Sequence, residues 1–142
     1  MHNLKLSLLA GAALTLAACS SNPAGTTAMV TAEQLQGSAW QVSYLNGSDV
    51  GDALVTLNFH EPGRLAGKAA CNNYMASYTL NDDSFTVKTG GVTMMACPQP
   101  LMKLEQQFLD ALEGVAQADI NEEGKLILSG ADDVKIEASR QK

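Results

Sequence analysis

Cys71 and Cys97 constrain this chain more than any other residues. The first sits in Gly67-Lys-Ala-Ala-Cys71-Asn72-Asn73-Tyr74, the second in Thr93-Met-Met-Ala-Cys97. Each ends a strand-like segment where the chain must turn a corner. In an exported protein such a pair reads as a structural disulfide in preference to a catalytic couple, whose thiols usually stand as Cys-x-x-Cys. It also reads so in preference to zinc, because Cys71, Cys97 and His60 make only three ligands where a structural site takes four. Closing a loop of about 25 residues stabilises a fold by roughly 3 kcal/mol in the chain-entropy model. That is a large share of a small domain's stability.

Export is read from the first residues. Lys5 gives a short positive region, and Leu6 to Leu16 is apolar but for Ser7 and Thr15. A run of about ten residues is too short to span a bilayer and suits the core of a signal peptide. It ends in Leu16-Ala17-Ala18-Cys19, the lipobox pattern at which bacterial lipoproteins are cut and acylated. An ordinary signal peptide would leave Cys19 as a leftover thiol in an exported chain, which is uncommon. Residues 1–18 are therefore expected to be a lipoprotein signal peptide. Two or more acyl chains on Cys19 would hold the protein stably on a membrane. Ser20 follows where an aspartate usually marks inner-membrane retention, so the expected location is the outer membrane, facing the periplasm. Without Lys5 the chain carries eight bases against fifteen acids. An acidic balance argues against nucleic acid as a partner and against a second, electrostatic contact with lipid.

Residues 19–33 have the small polar composition of a tether, and residues 34–139 read as one domain. Thr31 is placed to cap a single helical turn that ends at Gly37. Trp40, Val42 and Tyr44 alternate with Gln41 and Ser43, and Asn46-Gly47 is a strong hairpin signal. Val55, Leu57 and Phe59 alternate in the next strand, which Glu61-Pro-Gly63 ends. Leu65 to Cys71 reads as a weaker strand, Asn72-Asn73 as a corner, and Tyr74 to Leu80 as the strand after it. Phe85 to Val87 follows, broken at Gly90-Gly91 before a further strand from Val92 to Cys97. Leu101, Leu104, Phe108, Leu109 and Leu112 recur at helical spacing, with proline at the start and Gly114 as the stop. Leu126 to Leu128 and Val134 to Ala138 form a final hairpin, and Arg140 to Lys142 a loose end. The pattern predicts an α+β fold: an antiparallel sheet curled into a partial barrel, with one main amphipathic helix against its opening.

Gly67, Cys71-Asn72, Tyr74, Tyr78, Thr93, Met95-Ala96-Cys97-Pro98, Glu105, Phe108-Leu109, Leu112, Leu126 and Leu128 together resemble the META domain. The layout is similar to that of HslJ-like heat-inducible bacterial lipoproteins, and the resemblance runs from about Gln34 to Ala138, nearly the whole mature chain. It implies an antiparallel α+β fold and a disulfide between Cys71 and Cys97. It also implies a setting of envelope stress, novobiocin tolerance, motility or secretion, without an established enzymatic activity. Ala70 departs from the glycine that many members carry before the Cys-Asn pair.

Residue by residue, the chemistry is sparse. His60 falls on the outward phase of its strand, so a catalytic triad would have to be built on an exposed histidine, and no nucleophile elbow accompanies it. Asp82-Asp83 and Asp132-Asp133 sit where turns want aspartate and lack the spacing of a calcium loop. Met75, Met94, Met95 and Met102 read as adaptable core filling before they read as a copper site. Asn72 is expected to bond local backbone and fix the turn beside the bridge, with ligand contact secondary. Tyr74 and Tyr78 are expected at the barrel rim, lining a pocket or holding their hydroxyls in water. No catalytic residue, metal or cofactor is expected. The expected protein is a monomeric, non-enzymatic accessory of the envelope, bound to the membrane by its lipid and to an unidentified envelope protein. The alternative is a module binding small hydrophobic ligands or lipid in the barrel mouth near Tyr74, Tyr78 and Met95.

Overall fold

The computed structural model describes residues 29–142. The leader and Cys19 lie outside the described residues. Met29 already pairs with Asp119, and the Val30 N–H donates to the Ala118 carbonyl at 2.8 Å. Val30 is buried, so the last residues of the expected tether belong to the fold. Thr31 then caps helix α1 (Ala32–Leu35). Its hydroxyl accepts from the Gln34 N–H at 3.3 Å, while the Gln34 side chain accepts from the Thr31 N–H at 2.8 Å. The two bonds form a reciprocal cap, and the Gln34 N–H is shared with the Thr31 carbonyl at 3.2 Å.

Strand β1 (Ser38–Leu45) buries Trp40, Val42 and Leu45. Tyr44, expected on the same face, is 38% exposed. A bulge between Val42 and Tyr44 inserts one residue and reverses the phase, so Leu45 turns inward in its place. Asn46 and Gly47, both at positive φ, make the hairpin to the two-residue β2 (Ser48–Asp49). Strands β3 (Thr56–Glu61) and β4 (Arg64–Ala69) follow, joined at Gly63. Next come β5 (Asn72–Leu80) and β6 (Phe85–Val92), then helix α2 (Gln99–Gly114). The chain ends with β7 (Val115–Ile120), β8 (Leu126–Gly130) and β9 (Lys135–Arg140).

Three boundaries differ from the sequence reading. The corner lies at Ala70-Cys71, and Asn72 is already the first residue of β5, paired with Ala69. Gly90-Gly91 does not break β6: the register shifts there, between the pairs Tyr74–Val92 and Ala76–Thr89, and the strand continues as a bulge. Residues 93–98 carry no strand; they form an irregular loop leading into α2. Strand β7 was not anticipated, because Val115-Ala-Gln-Ala-Asp-Ile alternates weakly. At the end of the chain, the Arg140 guanidinium lies 5.1 Å over the Trp40 ring and donates to the Gln34 carbonyl at 3.0 Å. The terminus is thus tied down as far as Gln141, whose N–H bonds the Ala39 carbonyl.

All pairings are antiparallel, in the order β6-β5-β4-β3-β1-β9-β8-β7, with β2 hanging from β1. The sheet curls into a half-barrel whose open edges are β6 and β7, and α2 connects them. By strand direction the turns at Glu61–Gly63, Asn81–Ser84 and Asn121–Gly124 fall at one end, where Met29 enters and Leu35 packs inward; at the seam between β6 and β7 the two ends meet, with Asp83 and Ser84 beside Ser129 and Gly130. The other end carries Asn46-Gly47, Ala70-Cys71, the 93–98 loop and Gly130–Asp133. Helix α2 crosses that second end and inserts Phe108, Ala111 and Leu112. Between the plugs, Trp40, Leu57, Phe59, Tyr74, Phe85, Leu126, Leu128 and Ile136 are fully buried.

Two glycines allow the curl. A Cβ on Gly67 would lie 2.2 Å from the Thr56 carbonyl oxygen, and one on Gly130 would lie 1.9 Å from the Gly114 carbonyl oxygen. Neither distance is compatible with a side chain, so β4 crosses β3, and β8 meets the end of α2, only as glycine.

Candidate functional site

Of the residues singled out in the sequence, Cys71, Cys97, Asn72, Tyr74 and Met95 converge at the end of the barrel that α2 covers. Cys71 and Cys97 are bonded, with Cα atoms 5.9 Å apart, and join the β4–β5 hairpin to the loop before α2. Ala70 forms the turn at φ +64, the left-handed region that glycine adopts at less cost. The Cys71 N–H reaches back to the Ala69 carbonyl at 2.8 Å, closing a three-residue turn.

Asn72, 4% exposed, is the hub of the arrangement. Its carboxamide oxygen accepts from the Met95 N–H at 2.6 Å and from the Thr93 hydroxyl at 3.0 Å. Its amide nitrogen donates to Glu105 Oε1 at 2.9 Å, and its backbone N–H donates to Glu105 Oε2 at 2.6 Å. Thr93 also accepts from the Asn73 N–H at 3.1 Å. One side chain therefore ties together a hairpin, a loop and a helix, with a charge-assisted pair to Glu105 among its bonds. The sequence reading expected bonds to local backbone, whereas these partners lie more than twenty residues away in sequence.

Tyr74 is not at a rim. It is 1% exposed, its hydroxyl donates to the Thr56 carbonyl at 2.7 Å, and its ring meets Phe108 edge-on at 5.5 Å. Burial raises its pKa well above the usual phenol value, so it stays a neutral donor. The strand starts at Asn72, so alternate residues from Asn72 onward face inward and carry Tyr74 into the core. Tyr78 is partly buried at the opposite end of β5, between Phe59 at 5.3 Å and Phe85 at 5.6 Å. The two tyrosines therefore do not share a pocket, and Phe108 and its neighbours on α2 occupy the barrel mouth.

The methionines correct the core-filling expectation. Met75, Met94, Met95 and Met102 are all exposed, Met94 at 97%. Met75 falls on the outward phase of β5, and Met102 on the side of α2 away from Phe108. Met95 has its backbone N–H held by Asn72 while its side chain faces out. His60 is exposed, as its phase predicted, with Nδ1 3.4 Å from the Asn58 carbonyl. Asp132 and Asp133 take positive φ in a tight turn, the ordinary reason for their presence.

Elsewhere, Glu113 near the end of α2 takes the Thr89 hydroxyl and, at 3.1 Å, the Thr89 N–H on the β6 edge. These bonds, with a smaller contribution from Lys88, hold its carboxyl below the usual range. Burial raises Asp119, beside the entering chain, above its usual value.

A model of the META domain matches residues 33–142. The chain belongs to the META domain family. Among solved structures it is similar to an NMR structure of a protein from Burkholderia xenovorans, at 23% identity and TM-score 0.66, covering 87% of this chain and 97% of that one. A second NMR structure matches at 25% identity and TM-score 0.60, covering 78% and 95% of the two chains. These likenesses bear on the fold. No curated protein matches the chain. In this META domain, the family resemblance noted at Cys71-Asn72, Thr93, Met95, Cys97 and Glu105 corresponds to one physical assembly. Thr56 belongs to the same region through its bonds to Tyr74 and to the Lys68 N–H at 2.9 Å, and no sequence signal marked it.

Proposed function

We propose that this META-domain protein is a non-enzymatic accessory of the bacterial envelope. Cys19 anchors it by lipid to the outer membrane, facing the periplasm, and it supports growth under heat or novobiocin-type stress by binding another envelope protein. The observation that carries the reading is how the marked polar residues are used. Asn72, Thr93 and Glu105 bond one another and the backbone, and Tyr74 bonds Thr56, so they serve the architecture. Among the described residues no buried side-chain nitrogen or oxygen is left without a partner. Among the residues the far end presents outward are four large apolar ones, Leu54, Met94, Met95 and Met102, beside polar Asp52, Thr93, Gln99 and Lys103. An exposed apolar set on a braced scaffold suits contact with a partner. The anchor itself is read from Leu16-Ala17-Ala18-Cys19, which lies outside the described residues.

The test is deletion of the gene, with complementation by the wild type and by Cys19→Ser, scored for growth at elevated temperature and in novobiocin. The deletion strain is expected to grow poorly in both, and only the wild type to restore it. Unimpaired growth in both conditions would count against the stress role, and full rescue by Cys19→Ser against the anchor.

A further inference from the structure

An open groove of about 590 Å³ runs along the far end of the barrel, beside the bridge. One wall is the first turns of α2, with Pro100, Leu101 and Leu104; the other is the segment before β3, with Val50, Ala53 and Leu54. Leu54 is 48% exposed, which counts here because other large apolar side chains are exposed beside it. Met102 stands on the same helix turn, and Met94 and Met95 on the adjoining loop. Methionine is over-used where a surface must adapt to a partner. The single charge lining the groove is Asp52, which has no ion-pair partner among the described residues.

What covers this groove follows from where the chain enters. Met29 joins the fold at the opposite end, against β7. Nine residues lie between it and Cys19, and the ten residue-to-residue steps reach at most about 35 Å when fully extended. Strands of up to nine residues plus a crossing helix give a body of similar height, on the order of 35 Å. For the groove to touch the bilayer that holds Cys19, the tether would have to lie fully stretched along the barrel's whole flank. The groove therefore points away from that membrane, toward what else occupies the periplasm. Its shape also disfavours a small ligand, which needs a concave site that buries most of its surface. A groove bounded by a helix face and an extended segment suits the apolar stripe of another polypeptide.

We propose that the groove docks an amphipathic segment of another envelope protein, with bulky apolar side chains against Leu54, Leu101 and Leu104 and a lysine or arginine paired with Asp52. The exclusion of the membrane and the choice of an envelope protein rest on the anchored-accessory reading; the fit of the groove's shape to a polypeptide does not.

The experiment is selection from a displayed library of 16-residue peptides, using the full chain purified from whichever cell fraction holds it. Enriched peptides should carry leucine, phenylalanine or methionine at helical spacing with a nearby basic residue. Their affinity, read by fluorescence anisotropy, should fall at least tenfold in Leu54→Asp, less in Asp52→Asn, and stay unchanged in Tyr44→Ser. Leu101→Ser, with its melting temperature recorded beside Leu54→Asp, separates loss of binding from loss of fold. No enrichment, or binding indifferent to these substitutions, overturns the proposal. So does Leu54-dependent sedimentation with phosphatidylglycerol vesicles, which would assign the groove to lipid. Leu54-dependent dimerisation in analytical ultracentrifugation would assign it to a second copy and overturn it equally. Recovery of the chain in the soluble fraction would sink the anchor reading alone and leave the peptide result interpretable.

Discussion

Replacing Asn72 by aspartate exchanges one NH2 group for an oxygen, at the atom that faces Glu105. The oxygen side of Asn72 still accepts from Met95 and Thr93, so the change removes only the bond to Glu105 and a longer one, 3.5 Å, to the Met95 carbonyl. Two carboxylates would then meet in a largely buried site, and Asn72→Asp is expected to lose about 3 kcal/mol at pH 7. Glu105→Gln in the same chain returns a donor to the contact and should recover half of that loss or more. Urea denaturation of the two single variants and the pair measures this, and a pair no more stable than Asn72→Asp alone would refute the clasp. The residue's structural role was legible, since a polar side chain beside a corner usually serves backbone. Its partners were not, because nothing local marks a bond that closes through tertiary contact. The same misplacement of the corner, at Asn72-Asn73 in place of Ala70-Cys71, is what sent Tyr74 to a rim.

At the scale of elements, the barrel's curvature depends on backbones that touch without side chains between them. Gly67→Ala would drive a methyl group into the Thr56 carbonyl, against backbone atoms that have nowhere to yield. The expected loss is about 3 kcal/mol or more. Gly91→Ala has open space around its Cβ and should stay within about 0.5 kcal/mol of the parent. Comparable stabilities for the two variants in chemical denaturation would mean that β3 and β4 do not approach as described. Periodicity made the helix and most strands readable: Leu101, Leu104, Phe108 and Leu112 at helical spacing, Leu57 and Phe59 at strand spacing. It failed where bulges reset the phase. Tyr44 left the core for this reason, Gly90-Gly91 bent β6 without ending it, and β7 escaped notice because Val115 and Ala118 bury on opposite phases across an irregularity. A bulge leaves a weak mark in sequence because it depends on the neighbouring strand.

At the scale of the whole molecule, short strands with one amphipathic helix were enough to foresee a half-barrel with α2 at its opening. The division of its two ends was not legible, because it depends on the pairing of β1 with both β3 and β9, which closes through tertiary contact. That division puts two fasteners on one loop: the Cys71–Cys97 bond and the Asn72 clasp both hold residues 93–97 to the β4–β5 hairpin. Removing the bond with Cys71→Ser and Cys97→Ser should cost about 3 kcal/mol, which for a domain of this size lowers Tm by on the order of 10–20 °C. Asn72→Ala should also cost about 3 kcal/mol while the bond is present, because the pinned loop keeps the Met95 N–H and the Glu105 carboxylate away from water. Without the bond the loop can swing out, hydrate those groups and give up part of the penalty. The two losses should therefore be subadditive by about 1 kcal/mol or more, beyond the 0.3–0.5 kcal/mol scatter of independent sites. Equilibrium denaturation of the parent, the serine pair, Asn72→Ala and the combination closes this cycle. Strict additivity would mean that bridge and clasp act on separate parts of the fold, and that the loop before α2 is held by something other than Asn72.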